Sequence, residues 1–116
     1  MVQQRYNNSA AVPAAEVGKK NDDGKLRFDL VLPEFEEDVA AVLTSGAETY
    51  GANNWQKVED GTNRYYAALR RHIAVWRKGE KVDADTNISH LAHAACNIMF
   101  LMYLEKQNGQ HNTGVN

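Results

Sequence analysis

The sequence has one cysteine, two prolines and no long apolar run, and these scarcities exclude whole classes of protein. Cys96 has no partner within the chain, so a disulfide-stapled scaffold is excluded and a reducing compartment is favoured. The most apolar stretch, residues 91–104, is shorter than the roughly 18 residues of a membrane span. Residues 1–8 lack the apolar segment of a signal peptide. We therefore expect a small cytoplasmic protein without a membrane partner.

An excess of basic charge is also missing. Lys and Arg number 13 and Asp and Glu number 15, which gives a formal net charge of -2. A general duplex-DNA binder needs a basic surplus to displace counterions, so duplex nucleic acid is excluded as a partner. A small anionic ligand needs only a few well-placed cations. The length of 116 residues and the hydrophobic share of 43% correspond to one domain with one core.

Apolar residues at helical spacing predict a mainly α fold with three main helices. The first helix begins at Pro33, a residue that suits the first helical position because its missing N–H costs nothing there. It ends near Ser45, or at Tyr50 if Gly46 is tolerated within the helix, and Gly51 stops it. Thr62 or Asn63 caps a second helix that Gly79 stops; its apolar stripe consists of Tyr65, Leu69, Ile73 and Trp76.

The third helix is apolar almost all round, which predicts a central, buried position. Thr86 or Asn87 caps it, and it reaches about Gln107. One of its faces carries Leu91, Ala95, Ile98 and Met102. A monomer of three helices cannot cover every side of such a helix, so we expect a homo-oligomer.

The segments outside the helices complete the predicted fold. Residues 1–18 are a flexible tail, 19–107 form the single helical domain, and 108–116 are a polar tail. Within residues 26–30 apolar and charged residues alternate after an Asp-Gly turn signal, which predicts an extended stretch. The predicted fold class is mainly α: a small, oligomeric helical bundle with an extended N-terminal arm.

Three polar residues interrupt the apolar third helix. His90, His93 and Asn97 are spaced by three and four positions, so they share one face. A buried polar group without a partner costs about 1–3 kcal/mol, so these side chains need partners. They either form a satisfied core or interface network or belong to a chemical site.

The linker before that helix, residues 80–87, is acidic. Glu80, Asp83 and Asp85 could converge on one hard cation, since Mg²⁺ is held by one or two carboxylates together with phosphate oxygens. The alternative is a solvated loop whose carboxylates cap the following helix. Its position favours the metal site, because it lies between a basic stretch and the histidine face.

The basic stretch and an aromatic loop supply candidates for nucleotide binding. Arg71 is of the type preferred for bidentate phosphate contacts, and His72 falls beside the apolar stripe of the second helix. Asn54 and Trp55 have an amide and a π-face that could read and stack a base, although Trp55 could equally plug the core.

Two further cations lie on the N-terminal arm. Lys25 and Arg27 are two residues apart, so an extended backbone places them on the same face. Such a pair suits the clamping of phosphates from outside. The sequence contains no Walker P-loop, no GxGxxG before a helix and no zinc-spaced cysteine set.

Four strings, DGKLRFDL, GAETYGANNW, RYYAALRRHIAVWRKGE and DADTNISHLAHAACN, resemble a family of small bacteriophage proteins called dATP/dGTP diphosphohydrolase-like, N-terminal domain. The resemblance covers about residues 20–105. The family is in turn similar to all-α MazG-like nucleoside triphosphate pyrophosphatases, which are metal-dependent oligomers. The resemblance implies hydrolysis of dATP or dGTP to the monophosphate and pyrophosphate with Mg²⁺ or Mn²⁺, in the host cytoplasm.

The resemblance also implies roles for individual residues. The implied catalytic residues are His90, His93 and Asp83; the substrate-binding residues are Lys25, Arg27, Tyr50, Asn54, Trp55, Arg71, His72 and Asn97; the metal ligands are Glu80, Asp83 and Asp85. Thr49, Asp85 and Asn87 stand where the family pattern leads us to expect Lys, Glu and Gly. The chain lacks the EExxE motif that MazG enzymes carry on a helix. Glu36 and Glu37 match its first two positions, but Ala40 stands where the third glutamate would be.

Three functional hypotheses therefore compete. The first is a metal-dependent purine deoxynucleoside triphosphate diphosphohydrolase. The second is a non-catalytic protein that sequesters a nucleotide signal of host anti-phage defence with the same arginines, amides and aromatics. The third is a structural oligomer whose histidines fill an interface, and it predicts no nucleotide binding.

Overall fold

Three α-helices dominate the structure, a computed structural model that describes residues 17–111. They are α1 (Pro33–Tyr50), α2 (Gly61–Arg77) and α3 (His90–His111), with short 3-10 turns at Phe28–Leu30 and Asn54–Lys57. This part of the chain contains no strand, so the prediction of a mainly α fold with three main helices is confirmed. Most of the predicted tail 1–18 and the end of the tail 108–116 lie outside the described residues. None of the helices within residues 17–111 combines the length and apolarity needed to cross a membrane.

The first helix has the longer of its two predicted extents. Pro33 is its first residue, and Glu34 and Glu36 in the first turn complement the helix dipole. Gly46 lies within the helix. Gly51 ends it because its φ of 95° lies in the left-handed region that favours glycine.

The second helix begins before the predicted caps, so the assignment of Thr62 or Asn63 as cap is wrong. The helix starts at Gly61, preceded by Asp60 with a φ of 55°, and the Asn63 amide donates to the Asp60 carboxylate at 3.0 Å. A Cβ at Gly61 would lie 3.1 Å from a methyl carbon of Leu104. The glycine therefore permits the close approach of α2 to α3.

The third helix begins later than predicted, and Thr86 and Asn87 do not cap it. Ser89 is the residue whose hydroxyl accepts the Leu91 N–H, at 3.1 Å. The preceding linker folds back on itself through an isolated antiparallel bridge between Val82 and Ser89, and this structure delays the start of the helix. At its other end α3 passes the predicted end at 107 by one turn.

The central position of α3 is confirmed, since it packs against both α2 and α1. Ala92, Ala94 and Cys96 form the buried apolar core together with two buried polar residues, His90 and Asn97. Burial raises the pKa of the Cys96 thiol to about 11, so the thiol is protonated and unreactive at neutral pH.

The opposite face of α3 is exposed. Leu91, Ile98 and Met102 expose 44%, 47% and 53% of their surface. These residues belong to the face that the sequence grouped together. A face with this spacing is the seam that a partner helix covers in a coiled coil. The apolar residues of α3 thus exceed what α1 and α2 can bury.

The predicted extended stretch at 26–30 is wrong, because Phe28–Leu30 forms a 3-10 turn. Arg27 donates two hydrogen bonds to the Asp29 carboxylate, at 2.9 and 2.8 Å, and accepts the Leu30 N–H on its carbonyl at 3.0 Å. Within residues 17–111 no neighbouring strand offers backbone partners to an extended chain, so local bonds determine its conformation. Leu26 and Phe28 are 79% and 75% exposed.

Candidate functional site

The linker between α2 and α3 holds Asp83 in a fixed position. One carboxylate oxygen of Asp83 accepts the backbone N–H groups of Asp85 and Thr86, at 2.7 and 3.1 Å. The Asp83 carbonyl accepts the N–H of Asn87, which has a φ of 61°. Burial opposes ionisation of Asp83, but the two backbone hydrogen bonds and the nearby imidazoles outweigh it and lower its pKa. Asp83 is therefore an anchored carboxylate, and its second oxygen lies 4.0 Å from the Nδ1 of His72 on α2.

Two histidines face each other beside this carboxylate. The Nδ1 atoms of His72 on α2 and His90 on α3 are 2.9 Å apart. The Nε2 of His90 donates to the Glu80 carboxylate at 2.7 Å, because a carboxylate can only accept. A His90 ring that donates from Nε2 can accept a hydrogen bond from His72 on its Nδ1 lone pair.

One donor atom from each of His72, Asp83 and His90 lies within 4.8 Å of the other two. The second Asp83 oxygen is 4.0 Å from the His72 Nδ1. Imidazole nitrogens and carboxylate oxygens are metal ligands, so the three side chains form a candidate cation site.

His93 contacts this group through the ring of His72. Its ring stacks on His72 with centroids 4.6 Å apart and planes within 6°, and its Nε2 is hydrogen-bonded to the Thr86 hydroxyl at 2.7 Å. Burial lowers the pKa of His72, and the neighbouring His93 and His90 lower it further. Burial also lowers the pKa of His93. Both imidazoles are therefore neutral at pH 7.

We expect the free energy of unfolding to fall as the pH drops through about 6.5, the pKa of histidine in an unfolded chain. The unfolded protein takes up protons on His72 and His93 in this range, whereas the folded protein, with lowered pKa values, resists them. The thermal midpoint measured in EDTA should be lower at pH 5.5 than at pH 7.5. The His93→Gln variant should show a smaller difference. An equal or higher midpoint at pH 5.5 would refute this assignment of neutral imidazoles.

Two cavities lie against α2. The smaller, of about 280 Å³, is lined by His72, Glu80, Asp83, Asp85 and His90. The larger, of about 1180 Å³, lies between the C-terminal part of α1, the following loop, α2 and α3. Arg71 and His72 line both. Arg71 and His72 therefore form part of the wall of both the large cavity and the cavity that contains the candidate cation site.

Six of the predicted substrate-binding residues line the larger cavity: Tyr50, Asn54, Trp55, Arg71, His72 and Asn97. Trp55 is also a packing residue, since its ring stacks on Phe100 at 4.4 Å and meets the edge of Tyr103 at 5.0 Å. Tyr50 is 72% exposed. Asn97 is buried, and its amide donates to the His93 carbonyl at 3.0 Å.

Three predicted residues lie away from the cavities. Lys25 and Arg27 line neither cavity. Arg27 is hydrogen-bonded to Asp29, and these hydrogen bonds lower the pKa of the Asp29 carboxyl. His93 lies behind His72 rather than at a cavity wall. Of the predicted metal ligands, Glu80 bonds His90, and Asp85 lines the small cavity but is not part of the three-residue cluster.

Arg64 is a cavity residue that the predicted site did not include. It precedes Arg71 by seven residues on α2, and both line the large cavity with Ala67 and Ala68 between them. Positions seven apart share one face of a helix, so this spacing was the available signal. Small residues between two arginines leave room for an anion against the helix surface.

The comparisons with known proteins agree with the sequence resemblance. The chain matches the family described as "dATP/dGTP diphosphohydrolase, N-terminal" over residues 15–113, and it belongs to this family. A curated relative, the dATP/dGTP diphosphohydrolase of Salmonella phage PMBT28, is 39% identical over 87 residues. These residues make up 75% of this chain but 29% of the relative, so the chain spans less than a third of that protein. No solved structure matches the chain significantly.

Proposed function

We propose that the chain binds a purine deoxynucleoside triphosphate and hydrolyses it with a divalent cation. Water would add to the α-phosphorus and pyrophosphate would leave, giving the monophosphate, in the cytoplasm of a phage-infected cell. The observation that carries the proposal is the shared wall of the two cavities. Arg71 and His72 line both a cavity large enough for a nucleotide and the smaller cavity that contains the His72–Asp83–His90 cluster, whose side chains could hold a cation.

The phosphates would lie along α2. Arg64 and Arg71 are about 10 Å apart by helix rise, and Ala67 and Ala68 leave the surface between them open. Guanidinium groups make bidentate, charge-assisted hydrogen bonds with phosphate oxygens. Arg71 has no ion-pair partner among residues 17–111, so its charge is available to an anion.

The base would occupy the part of the cavity that the end of α1 and the following loop enclose. Tyr50 offers an exposed aromatic face for stacking, and the exposed Asn54 offers an amide for base edges. Trp55 holds that loop against Phe100 and Tyr103.

The sequence favours Mg²⁺ or Mn²⁺ as the ion, and the donors present fit a divalent cation. Asp83 and the two facing imidazoles would hold it, with Glu80 orienting His90 and His93 orienting His72. When bound, such a cation neutralises phosphate charge and polarises the substrate. His90 is committed through both ring nitrogens, so we assign it to binding rather than to proton transfer.

The test is incubation with a panel of nucleotides followed by chromatography of the products. The panel contains the four deoxynucleoside triphosphates, ATP, GTP, cyclic nucleotides and ADP-ribose-type nucleotides, each with Mg²⁺, Mn²⁺ or EDTA. The proposal expects deoxynucleoside monophosphate and pyrophosphate from dATP or dGTP, only with the ion present. Release of inorganic phosphate and a diphosphate, or no turnover of any nucleotide, would contradict it.

A second candidate function is the sequestration of a nucleotide signal of host defence without turnover. The observation that favours it is that the arginines and the aromatic loop of the large cavity could bind a nucleotide whether or not the His72–Asp83–His90 cluster holds an ion. The same cavity and arginines would serve. This candidate expects the panel to return one nucleotide intact but depleted from the free pool.

Self-association is also part of the proposal. Leu91, Ala95, Ile98 and Met102 follow spacings of four, three and four along α3, which is the pattern of a coiled-coil seam. We propose that the same face of a second copy covers this seam. The exposed apolar residues of the N-terminal arm enlarge the surface available to the partner.

Light scattering at micromolar concentration should give a mass of at least twice 13.0 kDa. The Ile98→Lys variant should shift the mass to that of a monomer, because it places a charge within the apolar seam. Ala74→Lys on the exposed surface of α2 adds the same charge outside the seam and should leave the mass unchanged. A monomeric wild-type protein would refute the association.

A further inference from the structure

The donors that converge between α2 and α3 differ from those that Mg²⁺ prefers. Magnesium takes oxygen ligands and keeps several waters, whereas imidazole suits first-row transition ions. His72 and His90 supply two nitrogens, and Asp83 supplies a single oxygen. The carboxylates at 80 and 85, which an all-oxygen site needs, are not in the three-residue cluster.

The spacing of the nitrogens agrees with this chemistry. The Nδ1 atoms of His72 and His90 are 2.9 Å apart. Two nitrogens each about 2.1 Å from one ion are about 3.0 Å apart at the right angle of an octahedral site and about 3.4 Å apart in a tetrahedral site. The hydrogen-bonded separation of 2.9 Å is therefore close to that of two adjacent ligands in an octahedral site, and the second Asp83 oxygen is 4.0 Å from the His72 Nδ1.

Each ligand is also held by a second group. Glu80 fixes the orientation of His90 through Nε2, the stacked ring of His93 limits the rotation of His72, and two backbone N–H groups hold Asp83. Carboxylate support of a ligating histidine is a recurrent feature of protein metal sites. His90 is only 4% exposed, so its ring is held by packing as well.

We propose that His72, Asp83 and His90 bind one first-row transition-metal dication, of the class that includes Mn²⁺, Fe²⁺, Co²⁺ and Zn²⁺, in preference to Mg²⁺. Ligation through both Nδ1 atoms requires a lone pair on each, so in the bound state the His72 proton lies on Nε2 and the His90 proton on Nε2 donates to Glu80. The inference deepens the proposed function by naming the ion class, but the site requires no nucleotide.

The test is a titration of EDTA-treated, dialysed protein with Co²⁺, Zn²⁺, Mn²⁺ or Mg²⁺, without nucleotide. Calorimetry should give one ion per chain, and Co²⁺ should produce visible absorption bands of a site with nitrogen ligands. Co²⁺ and Zn²⁺ should bind at least about 100-fold more tightly than Mg²⁺. Equal or tighter binding of Mg²⁺, or no saturation by any of the ions, would overturn the inference.

Variants assign the ion to this cluster. His90→Asn and Asp83→Asn should each weaken Co²⁺ binding by at least about 10-fold, and circular dichroism in EDTA should show that both are folded. His111→Asn is the matched control, since position 111 is 21 residues along α3 and about 30 Å away by helix rise. Wild-type Co²⁺ affinity in folded His90→Asn would overturn the inference. Tight Co²⁺ binding without any nucleotide turnover or binding would instead refute only the proposed function.

Discussion

The Asp83→Asn variant should lose at least about 100-fold of the metal-dependent nucleotide turnover while keeping its helical fold. The amide removes the negative charge that would hold the cation, and loss of even a supporting group at a metal site typically costs about 10- to 100-fold. The amide oxygen can still accept the N–H groups of Asp85 and Thr86, so the linker keeps its conformation. Initial rates with dATP and dGTP measure the loss, and circular dichroism checks the fold.

Asp38→Asn provides the control for this substitution. It makes the same chemical change at an exposed position of α1 that lines neither cavity. We expect wild-type rates from it. If Asp83→Asn also kept wild-type rates, Asp83 would serve only to fold the linker, and the cation site would lie elsewhere.

The Arg71→Ala variant should bind a purine nucleotide about 10- to 100-fold more weakly than the wild type. The guanidinium would make charge-assisted hydrogen bonds to phosphate worth about 1.5–3 kcal/mol, and each 1.4 kcal/mol is a factor of ten in affinity. Without nucleotide, the thermal midpoint should change little, because Arg71 is exposed and has no ion pair within the described part of the chain. Calorimetry gives the affinity, and thermal denaturation gives the stability.

Arg77→Ala removes the same charge from the last turn of α2, outside both cavities. Its nucleotide affinity should match that of the wild type. An unchanged affinity in Arg71→Ala, combined with a large fall in the midpoint, would show that Arg71 stabilises the fold and that the phosphates bind elsewhere.

The helices could be predicted from the sequence because their signals are local. Pro33 at the start of α1 and Gly51 after its end act through their own backbone preferences. The spacing of His90, His93 and Asn97 places them on one side of α3 by helical geometry alone, and that side does face α2 or the core.

The linker before α3 could not be predicted in the same way. Thr86 and Asn87 are good cap residues, but the Thr86 hydroxyl instead accepts the Ile88 N–H and bonds His93. Asn87 takes a left-handed conformation within the turn. These roles depend on the fold-back of the linker and on contacts with α3, which local preferences do not contain.

The pairing of His72 with His90 is a tertiary contact and left no signal in the spacing of either residue. The sequence assigned His72 to substrate and assigned the metal to three carboxylates of one short segment. The structure groups a histidine from each of two helices with one of those carboxylates. The arm shows the same limit: alternation at 26–30 suggested an extended chain, but the bonds between Arg27 and Asp29 form a turn.

In our proposal the large cavity and the His72–Asp83–His90 cluster form one site for a nucleotide and a cation. Calorimetric titration with the α,β-imido analogue of dATP, in EDTA and in Mn²⁺, tests this claim. If the claim is correct, Mn²⁺ tightens binding of the analogue at least about 10-fold in the wild type, and the analogue tightens Mn²⁺ binding equally. Asp83→Asn abolishes this coupling. Equal affinity for the analogue with and without Mn²⁺, or the same coupling in Asp83→Asn as in the wild type, would contradict the claim.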